Sequence, residues 1–252
     1  MEWQKDSKQI KADFDRDGYI VLRAFVATEQ VEDIQANIKR YIVDVVPGLR
    51  ETAAKYELQG NKETLMRLSD MAVDDYFKRL NHSGHFVKLA EMLLNDGVEQ
   101  GSLQFFNKPP RHGGITPPHQ DGFYFMRQPN NALTMWLALD KVDDENGCIR
   151  YLPGSQIEGY RPHRRQNRTG FSQGITDFGE EDLKREHAID ASPGDVLIHH
   201  AMIVHRADPN PSDRSRRAMG LIYYGKNAKE DREWGKAEQE RLQEQWEKEG
   251  KI

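Results

Sequence analysis

Cysteine is almost absent, with Cys148 alone among 252 residues. That excludes an intramolecular disulfide and any site built from several thiolates, whether zinc or iron–sulfur. Long apolar runs are missing too. None approaches the roughly 18 residues that a membrane-spanning helix needs, and the mean hydropathy is -0.84. Positive charge is not in excess: 36 Lys and Arg stand against 41 Asp and Glu, for a net charge of -5. Nothing therefore draws the whole chain to nucleic acid or to a membrane surface. The opening stretch MEWQKDSKQIKADFD has no basic-then-apolar pattern and carries acids, so it is not expected to be a secretion or transit signal. These absences describe a cytoplasmic protein, and the polar surface and charged tail favour a monomer or weak dimer.

What is present is enough for a core, since 37% of the residues are hydrophobic. The chain reads as a single domain over 1–252 with three parts. Residues 1–100 are expected to be mostly helical after one strand in GYIVLRAFV (18–26). From a cap at Thr28, the apolar residues Val31, Ile34, Ile38, Tyr41, Ile42 and Val45 follow helical spacing until Pro47-Gly48 stops them. Helices are also expected over 62–80 and 85–95. After Gly101 the pattern changes to short apolar, aromatic and β-branched segments: SLQFFN, ALTMWLALD, CIRYL, DVLIHHAMIVH and RAMGLIYYG. Turn signals such as Glu145-Asn146-Gly147 and Pro193-Gly194-Asp195 separate them, which predicts a jelly-roll core over 101–225. A polar insertion at 159–187 interrupts it, too long for an ordinary connection. Residues 226–252, nearly all Glu, Lys, Gln and Arg, read as a solvated helix with a narrow apolar edge.

The chemistry concentrates in PPHQDGFYF (117–125). On a strand, residues two apart share a face, so His119 and Asp121 would aim an imidazole and a carboxylate at one point while Gln120 faces away. A metal site needs a third ligand, and His199, His200 and His205 are the candidates, read as lying on one strand. Two histidines and one carboxylate leave three positions open on Fe(II), which suits oxygen activation with a bidentate co-substrate. A dicarboxylate co-substrate such as 2-oxoglutarate also needs a cation, best an arginine with its planar fork. Arg216 and Arg217 both begin the strand after His205, and alternation lets only one of them face inward.

At this point the sequence resembles a known family. PHQD, then TMWLALDKVDDENGCIRYLPGS, then PGDVLIHHAMIVHRADPNPSDRSRRA are similar, in that order, to the phytanoyl-CoA dioxygenase family of Fe(II)/2-oxoglutarate-dependent oxygenases. The likeness spans roughly 14–224 and is strongest from 101 onward. It implies a double-stranded β-helix (cupin-like jelly roll), mainly β with flanking helices, and His119, Asp121 and His205 as ligands to Fe(2+). It implies Arg216, eleven residues past His205, for 2-oxoglutarate, with Gln104, Thr134 and Trp136 lining the same pocket. It also implies consumption of O2, hydroxylation of a small organic substrate, and release of succinate and CO2. The aspartate argues against halogenation, in which a small residue vacates that position for chloride. One departure is visible: a histidine commonly follows L-P-G-S, and here Gln156 does.

Substrate contacts are expected from Phe123 and Phe125, on the ligand side if the strand continues. Arg161, Arg164, Arg165 and Arg168 in the insertion would suit an anion, or else form a solvated basic loop balanced by nearby acids. His199 reads as a packed structural histidine and Met135 as core, with Trp136 divided between core and co-substrate. Lys108, which precedes two prolines, could approach the site but reads better as a surface lysine. Two other functions fit part of the pattern: a zinc- or manganese-dependent hydrolase or isomerase on a cupin-like barrel, and a non-catalytic barrel that binds a small anion.

Overall fold

The computed structural model of the chain describes residues 3–168 and 171–250. It opens with α1 (Ser7–Asp17), β1 (Tyr19–Leu22) and α2 (Thr28–Arg40), followed by the hairpin β2 (Ala54–Tyr56) and β3 (Leu65–Leu68). Next come α3 (Asp75–Asn81), α4 (Gly84–Leu94), β4 (Val98–Lys108), β5 (Thr116–His119) and one helical turn, α5 (Gly122–Phe125). Then follow β6 (Arg127–Gln128), β7 (Ala132–Ala138), β8 (Ile149–Tyr151), β9 (His163–Arg168), β10 (Phe171–Ile175), α6 (Glu180–Arg185) and β11 (His187–Ile189). The chain closes with β12 (Val196–His200), β13 (His205–Ala207), β14 (Arg216–Gly225), β15 (Lys229–Glu230) and α7 (Arg232–Lys248).

Two antiparallel sheets make the jelly roll. The larger has the order β1-β12-β7-β14-β4-β3-β2, the smaller β11-β8-β13-β5. The central strands are apolar on both faces because both faces are covered. On β7, Leu133, Met135 and Leu137 join the core formed with Ile34, Phe77, Phe86 and Leu89 of the N-terminal helices. Trp136 and Ala138 point the other way, into the space between the sheets with Tyr151, Leu197 and Ala218. That inner face carries the site. At Gly220 it is narrow: a Cβ there would stand 2.5 Å from the Phe106 ring, so a side chain would displace the phenyl group.

Four expectations need correction. Residues 62–80 are not one helix: β3 occupies Leu65–Leu68, and only Asp75–Asn81 is α-helical. The Leu65, Leu68, Met71 spacing suits a helix, but pairing with β2 and β4 takes precedence. The helix after Thr28 has Ala27 in its cap position and widens at Tyr41–Val45 into a π-turn, which leaves Ile42 exposed instead of buried. DVLIHHAMIVH is not one strand, because β12 ends at His200 in the large sheet and β13 begins at His205 in the small one. The insertion at 159–187 is not a loop: it holds the β9–β10 hairpin and α6, and β10 lies beside β5.

Candidate metal centre

The strand β5 ends at His119, and the next residues do not continue it. Gln120 is fully buried and donates to the carbonyls of Gly159 (2.9 Å) and Met202 (2.8 Å). Asp121 then takes helical angles, φ -57 and ψ -36, and opens α5. The histidine and aspartate therefore meet through a strand-to-helix turn, not through strand alternation. His205, first residue of β13, lies directly opposite His119 in register, and their ring centroids are 4.1 Å apart.

One ligand atom from each of His119, Asp121 and His205 lies within 4.8 Å of the others. Asp121 Oδ1 is 3.6 Å from His119 Nε2 and 3.9 Å from His205 Nε2. Both imidazoles are oriented from behind. His119 Nδ1 contacts the Pro117 carbonyl at 2.9 Å and His205 Nδ1 the Ile203 carbonyl at 3.2 Å. A carbonyl can only accept, so each Nδ1 carries the proton and each Nε2 presents a lone pair to the site. Burial, with His119 and His199 beside it, pushes the His205 imidazole well below its usual pKa, so it stands neutral. Burial alone would raise the Asp121 carboxyl. The closeness of His119, the hydrogen bond from His199 and the nearness of His205 outweigh it and hold the group well below the carboxylate range.

The other carboxylate oxygen is taken. Thr134 Oγ1 donates to Asp121 Oδ2 at 2.9 Å, and His199 Nε2 stands 3.3 Å from the same atom. Behind His199, the Tyr151 hydroxyl meets Nδ1 at 2.9 Å. Burial and the Asp121 charge raise the Tyr151 phenol well above its usual range, so it keeps a proton to donate. His199 is thus buried and hydrogen-bonded, as the sequence reading had it, but its partner is the candidate ligand. Tyr151 was not singled out at all, and only its place on β8 beside β13 brings it there.

A cavity of about 710 Å³ opens beside these groups, floored by the inner face of the large sheet. Gln104, Thr134, Trp136 and Arg216 all line it. Arg216 is buried, with its guanidinium carbon 5.1 Å from the Trp136 ring centroid. Among the described residues its Nε has no hydrogen-bond partner. Burial lowers its pKa to about 10. Arg217 points away and is bound by Asp140, through Nε at 2.8 Å and Nη2 at 2.6 Å. Lys108 is no surface residue: it is buried in the cavity wall opposite Arg216 in register. Burial, and then the Arg216 charge, lower its pKa to about 7. Arg67 and Lys55, from the hairpin misread as helix and its neighbour, also line the cavity.

The expected substrate contacts divide. Phe125 and Tyr124 line the cavity, whereas Phe123 does not. The helical turn sends Phe123 backwards, where it stacks on His163 (4.2 Å between centroids) and packs with Leu242 and Trp246 of α7. Arg161 binds Asp182 through Nη1 at 2.8 Å and Asp177 through Nε at 3.0 Å, so its guanidinium is committed to the base of the insertion. Arg164 is exposed. The side chains of Arg165 and Arg168 lie outside the described residues. His200 turns away from His199 and packs near Phe14. Gln156 is remote too, its Nε2 donating to the Asp15 carbonyl at 3.0 Å.

Comparison with known proteins agrees with this picture. The profile of the family described as Phytanoyl-CoA dioxygenase matches residues 14–218. Phytanoyl-CoA dioxygenase domain-containing protein 1 of Bos taurus is 26% identical over 249 residues, covering 81% of this chain and 85% of that protein. Among solved structures, EctD from S. alaskensis with 2-oxoglutarate and 5-hydroxyectoine superposes with a TM-score of 0.73 at 22% identity, covering 88% of this chain and 77% of that one. The epimerase SnoN in complex with Fe3+, alpha ketoglutarate and nogalamycin RO does so with a TM-score of 0.71 at 22% identity, covering 89% and 86%. At such identities the structural likeness carries the fold.

Proposed function

Because the chain belongs to the phytanoyl-CoA dioxygenase family, we propose that it is an Fe(II)/2-oxoglutarate-dependent dioxygenase that hydroxylates a small organic substrate and releases succinate and CO2. One observation carries this reading. A two-histidine, one-carboxylate set and a buried arginine, which has no carboxylate partner among the described residues, share a single cavity. The donor set fits iron: two imidazole Nε2 atoms and one carboxylate oxygen on one side, with the other side open to the cavity. A zinc hydrolase on the same barrel gives no reason for the unpaired Arg216.

In this reading His119, Asp121 and His205 hold the metal, which supplies the oxidising chemistry when bound. Arg216, resting on Trp136, takes the distal carboxylate of 2-oxoglutarate, and Gln104 and Thr134 border the chain between. His199 and Thr134 fix the Asp121 carboxylate, and the Nδ1 contacts fix both imidazoles. Phe125 and Tyr124 wall the side where substrate enters and keep water from it. The aspartate occupies the place chloride would need, which favours hydroxylation over halogenation. The same reading takes 1–252 as a single oxygenase domain, because the N-terminal helices share one core with the large sheet. It also takes the protein as cytoplasmic, its one cysteine being free and buried.

The test is an anaerobic titration of Fe(II)-loaded protein with 2-oxoglutarate, read through the visible metal-to-ligand charge-transfer band. The band is expected in the wild type and in Arg217→Gln and is expected to vanish in His119→Ala. A wild type with no band at saturating iron and 2-oxoglutarate would remove the oxygenase reading.

A further inference from the structure

The candidate ligand Asp121 heads a helical turn that cannot hold itself in place. The turn α5 has four residues, and a helix shorter than about 12 residues is marginal on its own. Its carbonyls have no following turn to donate to them. The chain leaves it through Met126 at φ 50, a left-handed conformation that only glycine adopts freely. Asp121 does not cap the turn with its side chain, because Thr134 and His199 engage its carboxylate. The support has to come from outside α5.

Two segments grip it. The first is 159–161, at the start of the insertion. The Gly159 carbonyl accepts from Gln120 Nε2 and the Arg161 amide donates to Gln120 Oε1, both at 2.9 Å, so the residue before Asp121 is fixed. Between them, Tyr160 reaches the residue after Asp121. Its hydroxyl donates to the Gly122 carbonyl at 3.0 Å and accepts from Asn130 Nδ2 at 2.7 Å. The second grip comes from α7. Gln239 Nε2 donates to the Phe123 carbonyl at 2.7 Å, and the Asp231 amide donates to the Met126 carbonyl at 3.1 Å. Gly235 allows this close approach: a Cβ there would stand 2.6 Å from Met126 Cβ. Glycine inside a helix weakens it, so the contact it permits is the reason for its place. Leu242 and Trp246 then bury against Phe123. The helix that reads from sequence as solvated thus lays its narrow apolar edge, and one amide, on the turn that carries Asp121.

We propose that Tyr160 and Gln239 are positioning residues of the metal centre: by holding the Gly122 and Phe123 carbonyls they fix the turn, and with it the point at which Asp121 Oδ1 meets the ion. This rests on the metal-binding reading above and adds the insertion and the C-terminal helix to the scaffold of that site. Neither side chain lines the cavity, so both act only through the turn. Thr134 and His199 select which carboxylate oxygen is offered; Tyr160 and Gln239 set where it stands. Ligand distances at a metal site are held to about 0.2 Å, so a turn free to shift by more gives up affinity.

Mn(II) is a suitable probe, because the EPR signal of the free ion disappears on binding. It is titrated anaerobically into the full-length, metal-free protein, and thermal melts of the same samples report folding. Tyr160→Phe loses only the hydroxyl, and Gln239→Met keeps the length but loses the donor. Each is expected to raise the Kd for Mn(II) about threefold to tenfold, less than the roughly 10–100-fold typical of partners that touch a ligand directly. Gln239→Lys, which keeps a donor at similar reach, should return to within about twofold of the wild type. Tyr76→Phe is the control for a purely structural bond: it removes a tyrosine hydroxyl from Asp33 Oδ2 (2.7 Å) in the helical layer. It should lower the melting temperature of the metal-free protein and leave the Kd unchanged. The proposal is overturned if Tyr160→Phe and Gln239→Met bind Mn(II) as the wild type does, or if Gln239→Lys binds as weakly as Gln239→Met. It is equally overturned if Tyr76→Phe weakens binding as much as they do. A wild type that binds no Mn(II) at all marks a failure of the metal reading itself, and the positioning role falls with it.

Discussion

The arginines and lysines of this protein live in two electrostatic worlds. Outside the barrel, Arg150, Arg161, Arg214 and Arg217 each hold a carboxylate at 3.0 Å or less. On the cavity floor, Lys55, Arg67, Lys108 and Arg216 have no carboxylate bound to them among the described residues, and burial lowers the pKa of every one. A paired surface charge contributes little to stability and recognises nothing. An unpaired buried cation is a standing cost that ligand binding can offset. In the proposed reading, recognition is marked less by where arginine is plentiful than by where its partner is missing.

The sharpest probe of that contrast is the adjacent pair on β14. Arg216→Gln is expected to raise the Kd for 2-oxoglutarate by about a hundredfold or more, as befits the loss of two charge-assisted hydrogen bonds. Arg217→Gln should leave it within about twofold, and equal losses in the two variants would erase the distinction. A smaller effect is expected at Lys108. Its pKa of about 7 lies below the usual lysine value, so the side chain is charged on the acid side and neutral above. Affinity of the iron-loaded protein for 2-oxoglutarate should therefore fall several-fold as the pH rises from about 6 to 8.5. Lys108→Met should flatten that profile; an unchanged slope would show that another group causes it. Arg161→Ala breaks a half-buried pair and should cost about 1–3 kcal/mol in a denaturant titration, with co-substrate affinity intact. Arg164→Ala, at an exposed site, should shift stability by less than about 0.5 kcal/mol. A fall in co-substrate affinity in either variant would return the insertion to the active site.

The same contrast explains what could be read from the chain alone. His119, Asp121, His205 and Arg216 stand in a recognisable frame, and the structure brings all four to one cavity. The local reason given for the first pair was mistaken, since Asp121 opens a helical turn; that same turn is why Phe123 leaves the cavity and Tyr124 enters it. Lys108 read as superficial because an isolated lysine is most often exposed. Its burial depends on the long strand β4 and on a partner more than a hundred residues away. Arg67 was hidden inside a segment with helical spacing, where only non-local pairing reveals a strand. Arg161 looked available because Asp177 and Asp182 are brought back to it only by the β9–β10 hairpin and α6. The jelly roll itself was legible, because its strands are short, apolar and separated by clear turns.

The clamp on Asp121 Oδ2 has a consequence for denticity. With Thr134 and His199 both on that oxygen, the carboxylate can offer only Oδ1 to an ion; gripping with both oxygens would break two contacts at once. A six-coordinate ion held here would therefore keep three vacant positions, whatever its own preference for a fuller carboxylate embrace. A hydroxyl and an imidazole, neither of them among the three candidate ligands, would set how many guests a metal there could receive.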